Sequence, residues 1–356
     1  MLSGSAAARR YGYSSARARA MDSLLLSGKS MREMMNAKDI GSMVSMLYQG
    51  DFKRDIEEFG GLDIRHEMID FALSKNLAKN VGKLVQISPT TERKQIRAVV
   101  GRWSLYNIKM AIEAKAKHQQ YEDIARYIID YGTYNAAAVK EAMREESIES
   151  MLGKFMINSP YRDMLSSGLE AYKKTKSIIH TVAEIDRSYY QMLGSVIIGL
   201  RVLDNDAARV VKMEVDMANI LFMIKARRAG FKFQEIVQNL IGTGNIAMPE
   251  LEQMYNSSRD IETLVSQIKQ YDMKESLEIY RSGKTRQLLV FEIGLRNRIF
   301  ESSIRLLSHR ILSFGAILAY AYKKELEIYT LRILIHARMY GLGKDEVERL
   351  MVWKSE

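Results

Sequence analysis

The sequence predicts an all-α fold on three observations. Only 3 of its 356 residues are proline. No run of residues alternates β-branched and polar side chains up to a hairpin turn, as a strand pair requires. A helical hairpin recurs along the chain, the signature of a repeat architecture. Its last copy is the clearest: residues 314–352 read as a helix to about Tyr340, a turn at Gly341 to Gly343, and a second helix. Ile328, Leu331 and Ile335 fall at helical spacing and make one apolar face. Asp345 and Glu346 open the second helix, where the N-terminal dipole favours negative charge.

Sliding the chain against itself gives the repeat. Shifted back by 111 residues, Ile328, Leu331 and Ile335 land on Met217, Ile220 and Ile224; a further 112 brings them to Leu105, Ile108 and Ile112. Ala337, Ala226 and Ala114 coincide, as do Arg338, Arg227 and Lys115, so each first helix ends on a cation. A weaker N-terminal copy is anchored at Leu24, with Asp39-Ile40 opening its second helix. From anchor to anchor the gap is sixteen residues in each: Leu24 to Ile40, Ile108 to Ile124, Ile220 to Ile236, Leu331 to Val347. A fixed gap suits two antiparallel helices meeting across a fixed turn. Gly230 and Gly341 stand at that turn, suited to a left-handed C-cap, whereas His118 and Met34 stand there in the other two copies.

In chain order, residues 1–21 are rich in Arg and Ser and contain no acid. That composition also fits a transit peptide, but Arg17, Arg19 and Met21 run without a break into the Leu24 copy. Gly60 to Asp63 reads as a turn. Ser88-Pro89 and Ser159-Pro160 read as an N-cap followed by the first helical position, and Pro249 precedes Glu250 and Glu252 at a third helix start. Residues 161–215 and 257–323 read as long helical segments without linker composition, so the modules are expected to touch.

Composition bounds the chemistry. With no cysteine, disulfides and thiolate metal sites are excluded. The uncharged apolar runs 188–200 and 311–322 are well short of the roughly 20 residues a membrane helix needs, so the chain is expected to be soluble or peripheral. A net charge of +10 attracts acidic partners, nucleic acid or anionic lipid. The 22 methionines suit helix cores and adaptable contact surfaces.

Motifs that resemble catalytic or cofactor signatures each lack an essential part. Ser27-Gly28-Lys29-Ser30 and Ser282-Gly283-Lys284-Thr285 lack the earlier glycine of a phosphate loop; Ser23 and Glu278 stand in its place. Gly242 to Ala247 matches a dinucleotide fingerprint in letters but follows a helix, not a strand. His66, Glu67 and Asp70 lack the second histidine of a zinc helix. The carboxylates Asp39, Asp123, Glu235 and Glu346 recur where a helix starts and read as caps. No catalytic, metal or cofactor site is expected.

Phe314-Gly315, Ile317, Ala319-Tyr320, Lys324-Glu325, Glu327, Leu331 and Arg332 resemble the C subunit of the archaeal-type (A/V-type) rotary ATP synthase, related to the d subunit of the vacuolar proton pump. Tyr13, Ala16-Arg17, Arg19-Ala20-Met21 and Leu24-Leu25 resemble that family's opening; Glu184, Asp186-Arg187, Tyr189-Tyr190, Asp216, Asn219 and Ile220 resemble its middle. The resemblance covers roughly residues 11–352. It implies a funnel of three pseudo-symmetric helical modules, placed at 1–100, 101–212 and 213–356; against the four hairpins counted above, either the first and last share one module or one of them is an addition. Such a protein sits on the cytoplasmic end of the membrane rotor ring, receives the central shaft subunits, and passes torque without catalytic groups or cofactors. One departure is Ser313, where the family usually has proline. Among the matched motifs, Arg17, Arg19, Lys324, Glu325, Glu327 and Arg332 are candidate partner contacts. The last four have a competing reading as pairs within the chain; Lys324 and Glu327 stand at i,i+3.

A basic nucleic-acid-binding repeat is the competing function, suggested by the charge and by 19 tyrosines. Tyr189-Tyr190 and Tyr320 count against it, because they sit inside apolar helical runs where they cannot stack on bases.

Overall fold

A computed structural model describes residues 4–90, 92–282, 288–309 and 311–349. Among these residues there is no strand. In chain order the helices are α1 (Gly4–Asp22), α2 (Gly28–Met35), α3 (Ile40–Tyr48), α4 (Lys53–Glu57), α5 (His66–Ile87), α6 (Arg93–Val100), α7 (Arg102–Ala116), α8 (Tyr121–Ile124), α9 (Ala136–Met143) and α10 (Ile148–Phe155). They continue as α11 (Arg162–Thr175), α12 (Ile178–Leu203), α13 (Asn205–Arg228), α14 (Phe233–Ile236), α15 (Met248–Asn256), α16 (Ile261–Ser266), α17 (Lys274–Arg281), α18 (Leu289–Ser308), α19 (Phe314–Met339) and α20 (Lys344–Arg349).

The repeat is visible in the helix starts. α5, α12 and α18 begin at His66, Ile178 and Leu289, spaced by the same 112 and 111 residues that align the sequence with itself. Three hairpins, α7–α8, α13–α14 and α19–α20, close alike. His118, Gly230 and Gly341 take φ of 58°, 82° and 66°. The next amides, of Gln119, Phe231 and Leu342, donate back to the carbonyls of Ala114, Ala226 and Ala337 at 3.0, 3.1 and 2.9 Å. This is the Schellman closure of a helix C-terminus. It accounts for the coincident alanines, which are buried under the returning chain. His118 holds the left-handed conformation without being glycine, at a cost of about 1 kcal/mol.

The N-terminal copy is placed differently from the expectation. Leu24 is 57% exposed in the turn after α1, and Met34 is buried within α2. The pair α2–α3 instead matches α9–α10, with both starts offset by 108 residues. Ser27 and Asp39 cap α2 and α3, accepting from the amides of Ser30 and Ser42; Asn135 and Ser147 cap α9 and α10 in the same way. The sixteen-residue gap from Leu24 to Ile40 is therefore a coincidence of spacing.

The long segments are also broken by local chemistry. Lys176 adopts the left-handed conformation at the end of α11, and the Asp204 carboxylate accepts from the Asp206 and Ala207 amides to start α13. Helices α6 and α11 begin two to four residues beyond Pro89 and Pro160, each after a short turn. Pro249 does sit in the first turn of α15. Ser313, in the place of the family's proline, starts α19 by accepting from the Ala316 amide at 3.0 Å.

The chain forms two compact units, residues 1–144 with 307–356, and residues 145–306. In the first, α19 is the hub: α1, α2, α3, α5 and α20 all pack against it, and Leu331, Ile317 and Leu318 are fully buried. In the second, α12 lies between α11 and α13, and α13 packs on α16. Its core joins Ile220, Met223, Ile224, Phe233, Ile236, Leu251, Tyr255 and Phe291. Ile220 is 1% exposed. Truncation to alanine there will cost about 2–5 kcal/mol, the usual large-to-small core penalty, read as a lowered urea midpoint.

Candidate functional site

Because α19 is buried on most sides, its polar residues must find partners inside the unit. Four of the candidate contact residues lie on it, and the structure gathers them into three braces. In the first, Lys324 Nζ is 2.6 Å from Glu327 Oε2 and 3.4 Å from Asp51 Oδ2, and lies over the Phe52 ring. The Leu26 amide donates to the other Glu327 oxygen at 2.7 Å. The Asn76 and Asn80 side-chain amides donate to Asp51, and the Tyr320 hydroxyl donates to Asn80 Oδ1 at 2.8 Å. Lys324 is 1% exposed and Glu327 4%. Neither side chain offers surface to a second molecule.

The electrostatics follow from that burial. Burial pushes the Glu327 carboxyl above its usual range, partly countered by the adjacent Lys324 ammonium. At Asp51 burial acts in the same sense, but Lys324, Asn76, Lys79 and Asn80 outweigh it and hold the carboxyl below its usual range. Burial, then the charge of Asp51, drives the Tyr320 phenol far above its ordinary value. It is a neutral hydrogen-bonding group at any physiological pH.

In the second brace, Glu325 Oε2 pairs with Arg102 Nη2 at 2.8 Å, and the guanidinium lies 4.5 Å from the centre of the Tyr322 ring. In the third, Asp70 on α5 takes His336 Nε2 at 2.8 Å and Arg332 Nε at 3.5 Å, while Arg332 also donates to Ser74. Asp70 is thereby drawn away from His66 and Glu67, which are exposed. Among the described residues no three histidine or carboxylate side chains gather to hold a metal.

Arg17 and Arg19 differ from these four: both are exposed on α1. They also belong to the more basic unit. Residues 1–144 with 307–356 hold 31 Lys and Arg against 22 Asp and Glu, a net +9, whereas residues 145–306 hold 22 against 21. Nearly all of the chain's excess charge is in the first unit. Tyr189, Tyr190 and Tyr320 are buried, at 1%, 6% and 3% exposure, so these rings are unavailable to bases.

The repeat register explains two further sets of residues: an asparagine pair, of which the sequence singles out Asn219 but not Asn107, and the coincident cations, which it aligns without giving them partners. Asn107 and Asn219 stand 112 apart, and each clamps a following loop. Asn107 donates to the Ile129 and Tyr134 carbonyls and accepts from the Ile129 amide; Asn219 donates to and accepts from the Ile241 backbone, both at 2.9 Å. The coincident cations do similar work. Lys115 Nζ donates to the Met143 carbonyl at 3.1 Å, Arg338 to that of Met35 at 3.1 Å, and Arg227 to that of Tyr255. Each ties its hairpin to the C-terminal end of a neighbouring short helix. The last such helix in register is α2, which lies near the chain's start.

The phosphate-loop and dinucleotide look-alikes resolve in the same way. Ser27 is the α2 cap, and residues 283–285 lie outside those described, as do the side chains of Asp345 and Glu346. At Gly244 an added Cβ would lie 2.3 Å from Asp216 Oδ1. The glycine is there because the loop wraps that carboxylate. No helix among the described residues is long and apolar enough to cross a membrane.

These features define a class: a helical-repeat scaffold whose polar interior is spent on bracing its own helices. The chain belongs to the ATP synthase (C/AC39) subunit family, whose model matches residues 14–350. It is similar to the A-type ATP synthase C subunit of Thermoplasma acidophilum, 23% identical over 346 residues, covering 94% of this chain and 96% of that one. It is also similar to the proteins of that name from Archaeoglobus fulgidus, 25% identical over 96% of both chains, and Thermococcus kodakarensis, 24% identical over 96% of this chain and 90% of that one.

Proposed function

We propose that this chain is the central-stalk subunit that couples the membrane ion-translocating ring to the central shaft of a rotary A/V-type ATP synthase. It has no catalytic part of its own and is held at the cytoplasmic face of the membrane by its partners. The observation that carries the reading is the family match across nearly the whole chain. The braced hub helix supports it physically: a part that passes torque must not yield, and the 26-residue α19 is fixed by ion pairs toward α1, α5 and α7.

We read the repeat as three modules forming a funnel. The register of 112 and 111 suits modules opening at α5, α12 and α18, the third completed by α2 and α3 from the chain's start. Arg17 and Arg19 are the exposed partner contacts in this reading. Lys324, Glu325, Glu327 and Arg332 serve by keeping α19 rigid.

Tagging the chain, extracting it from its host's membranes in detergent and identifying its companions tests this. A very hydrophobic ring protein and the shaft proteins are expected in fixed ratio. Recovery of soluble partners alone, or of RNA, would overturn the coupling role.

A further inference from the structure

We infer that the pocket beneath the α19–α20 turn is a docking site for an amphipathic helix of another chain, one that inserts an aliphatic side chain flanked by carboxylates. The turn carries two apolar side chains into solvent, Tyr340 at 73% and Leu342 at 48% exposure. The other two hairpins do not. The residue in register with Leu342 is Phe231 in one, its ring 4.7 Å from that of His180, and the polar Gln119 in the other. Apolar exposure is thus particular to the last hairpin, although all three close with the same backbone bonds.

Below the turn lies a pocket of about 80 Å³. Its floor is apolar: Met34, Met35, Leu334 and Val347, all buried. Methionine side chains readjust to an incoming group at little cost. A dry cavity that takes benzene measures about 150 Å³, so this pocket suits one leucine, isoleucine or methionine side chain better than an aromatic ring.

The mouth selects by charge. Arg338 and Lys344 line it, and both are exposed. Arg338 donates through one nitrogen to the Met35 carbonyl at 3.1 Å. Asp39, whose carboxyl is within the field of Arg338, already accepts from the Ser42 amide and hydroxyl, both at 2.8 Å. A wholly apolar ligand would strip water from two cations and return nothing. A ligand with acids beside its apolar residue would pair them, and opposite charge would also steer its approach to the basic unit. A helix supplies that arrangement directly, since residues three and four apart lie beside one another on one face.

This inference stands on the hairpin and does not require the rotor reading. The test places p-benzoyl-phenylalanine at position 342 of the full chain, expressed in its host, with the same group at Ile157, 61% exposed in the other unit, as control. The membrane-extracted assembly is illuminated and the adduct is sequenced. The expected adduct at 342 maps to a leucine, isoleucine or methionine with Asp or Glu three or four residues away. Its yield should drop about fivefold in Lys344→Glu, the worth of an exposed ion pair, with the thermal midpoint unchanged. Adducts to lipid, to a second copy of this chain or to a segment without acids overturn it. So does no adduct, or a yield that Lys344→Glu leaves intact. If ring and shaft proteins are missing from the preparation, the rotor reading falls, while the adduct's composition still decides this one.

Discussion

Lys324→Met will lower the stability of the chain by about 3–5 kcal/mol, the cost of leaving a buried charge without its partner. Lys324 is the only cation 1% exposed that faces both Glu327 and Asp51 among the described contacts, at 2.6 and 3.4 Å. Methionine fills much the same volume, so packing is nearly conserved and the loss reports charge. Glu327, already pushed upward by burial, would lose the ammonium that opposes that push, and its carboxyl would move further above its usual range. Replacing both members, Lys324→Met with Glu327→Leu, should recover much of the loss, because a buried pair is worth little against an apolar pair of like size. Recovery will be incomplete, since the Leu26 amide also loses its acceptor and Asp51 keeps only Asn76, Asn80 and Lys79. Urea unfolding of the single and double variants measures this. A single variant as stable as the parent would mean that α19 does not depend on this brace.

The sequence made the hairpins readable because three chemical requirements recur at fixed offsets. An alanine must fit under the returning chain, a left-handed residue must follow, and a cation must reach a carbonyl. Ala337, Gly341 and Arg338 meet them in the last copy, and Ala226, Gly230 and Arg227 in the one before. The N-terminal copy misled because Leu24 shares the spacing without the closure. Spacing alone does not distinguish an anchor from an exposed turn residue. The true register of α2 is carried by its caps and by Met35, whose carbonyl receives Arg338 from 303 residues away in the chain. That distance is what hid it. Periodicity reports which face of a helix is apolar and is silent about which remote segment covers it. For the same reason Lys324, Glu327 and Arg332 read from their letters either as partner contacts or as pairs within the chain, and of their partners only the Lys324–Glu327 pair at i,i+3 is legible. A charged residue looks alike in sequence whether its partner is water, another chain, or Asp70 on a distant helix.

Asp216→Ala is expected to be at least as damaging, about 3–6 kcal/mol, because it orphans several donors at once. Asp216 Oδ1 accepts from the Asn245 and Ile246 amides at 2.9 and 3.0 Å, and Oδ2 accepts from the Tyr271 hydroxyl at 2.7 Å and the Asn245 side chain at 3.2 Å. No cation is among these partners. The loop of Gly244 folds around the carboxylate so closely that it has room only for glycine. Burial pushes the Asp216 carboxyl above its usual range in spite of the four donors. The sign of the pH effect follows. Between the ordinary carboxylate range and the raised folded value, the folded chain holds a proton that the unfolded chain has released. The contribution of Asp216 to stability therefore falls as pH rises through that window, and is level above it. Asp216→Asn keeps an acceptor for the two backbone amides and cannot ionise. Its stability difference from the parent should move in the parent's favour as pH is lowered through the window, and stay constant at higher pH. Thermal midpoints of the two proteins across mildly acidic to neutral pH give the comparison. A difference that does not change with pH would show that Asp216 titrates in the folded chain as it does in the unfolded one. The same carboxylate would then be held by its hydrogen bonds alone, with burial contributing nothing to its proton affinity.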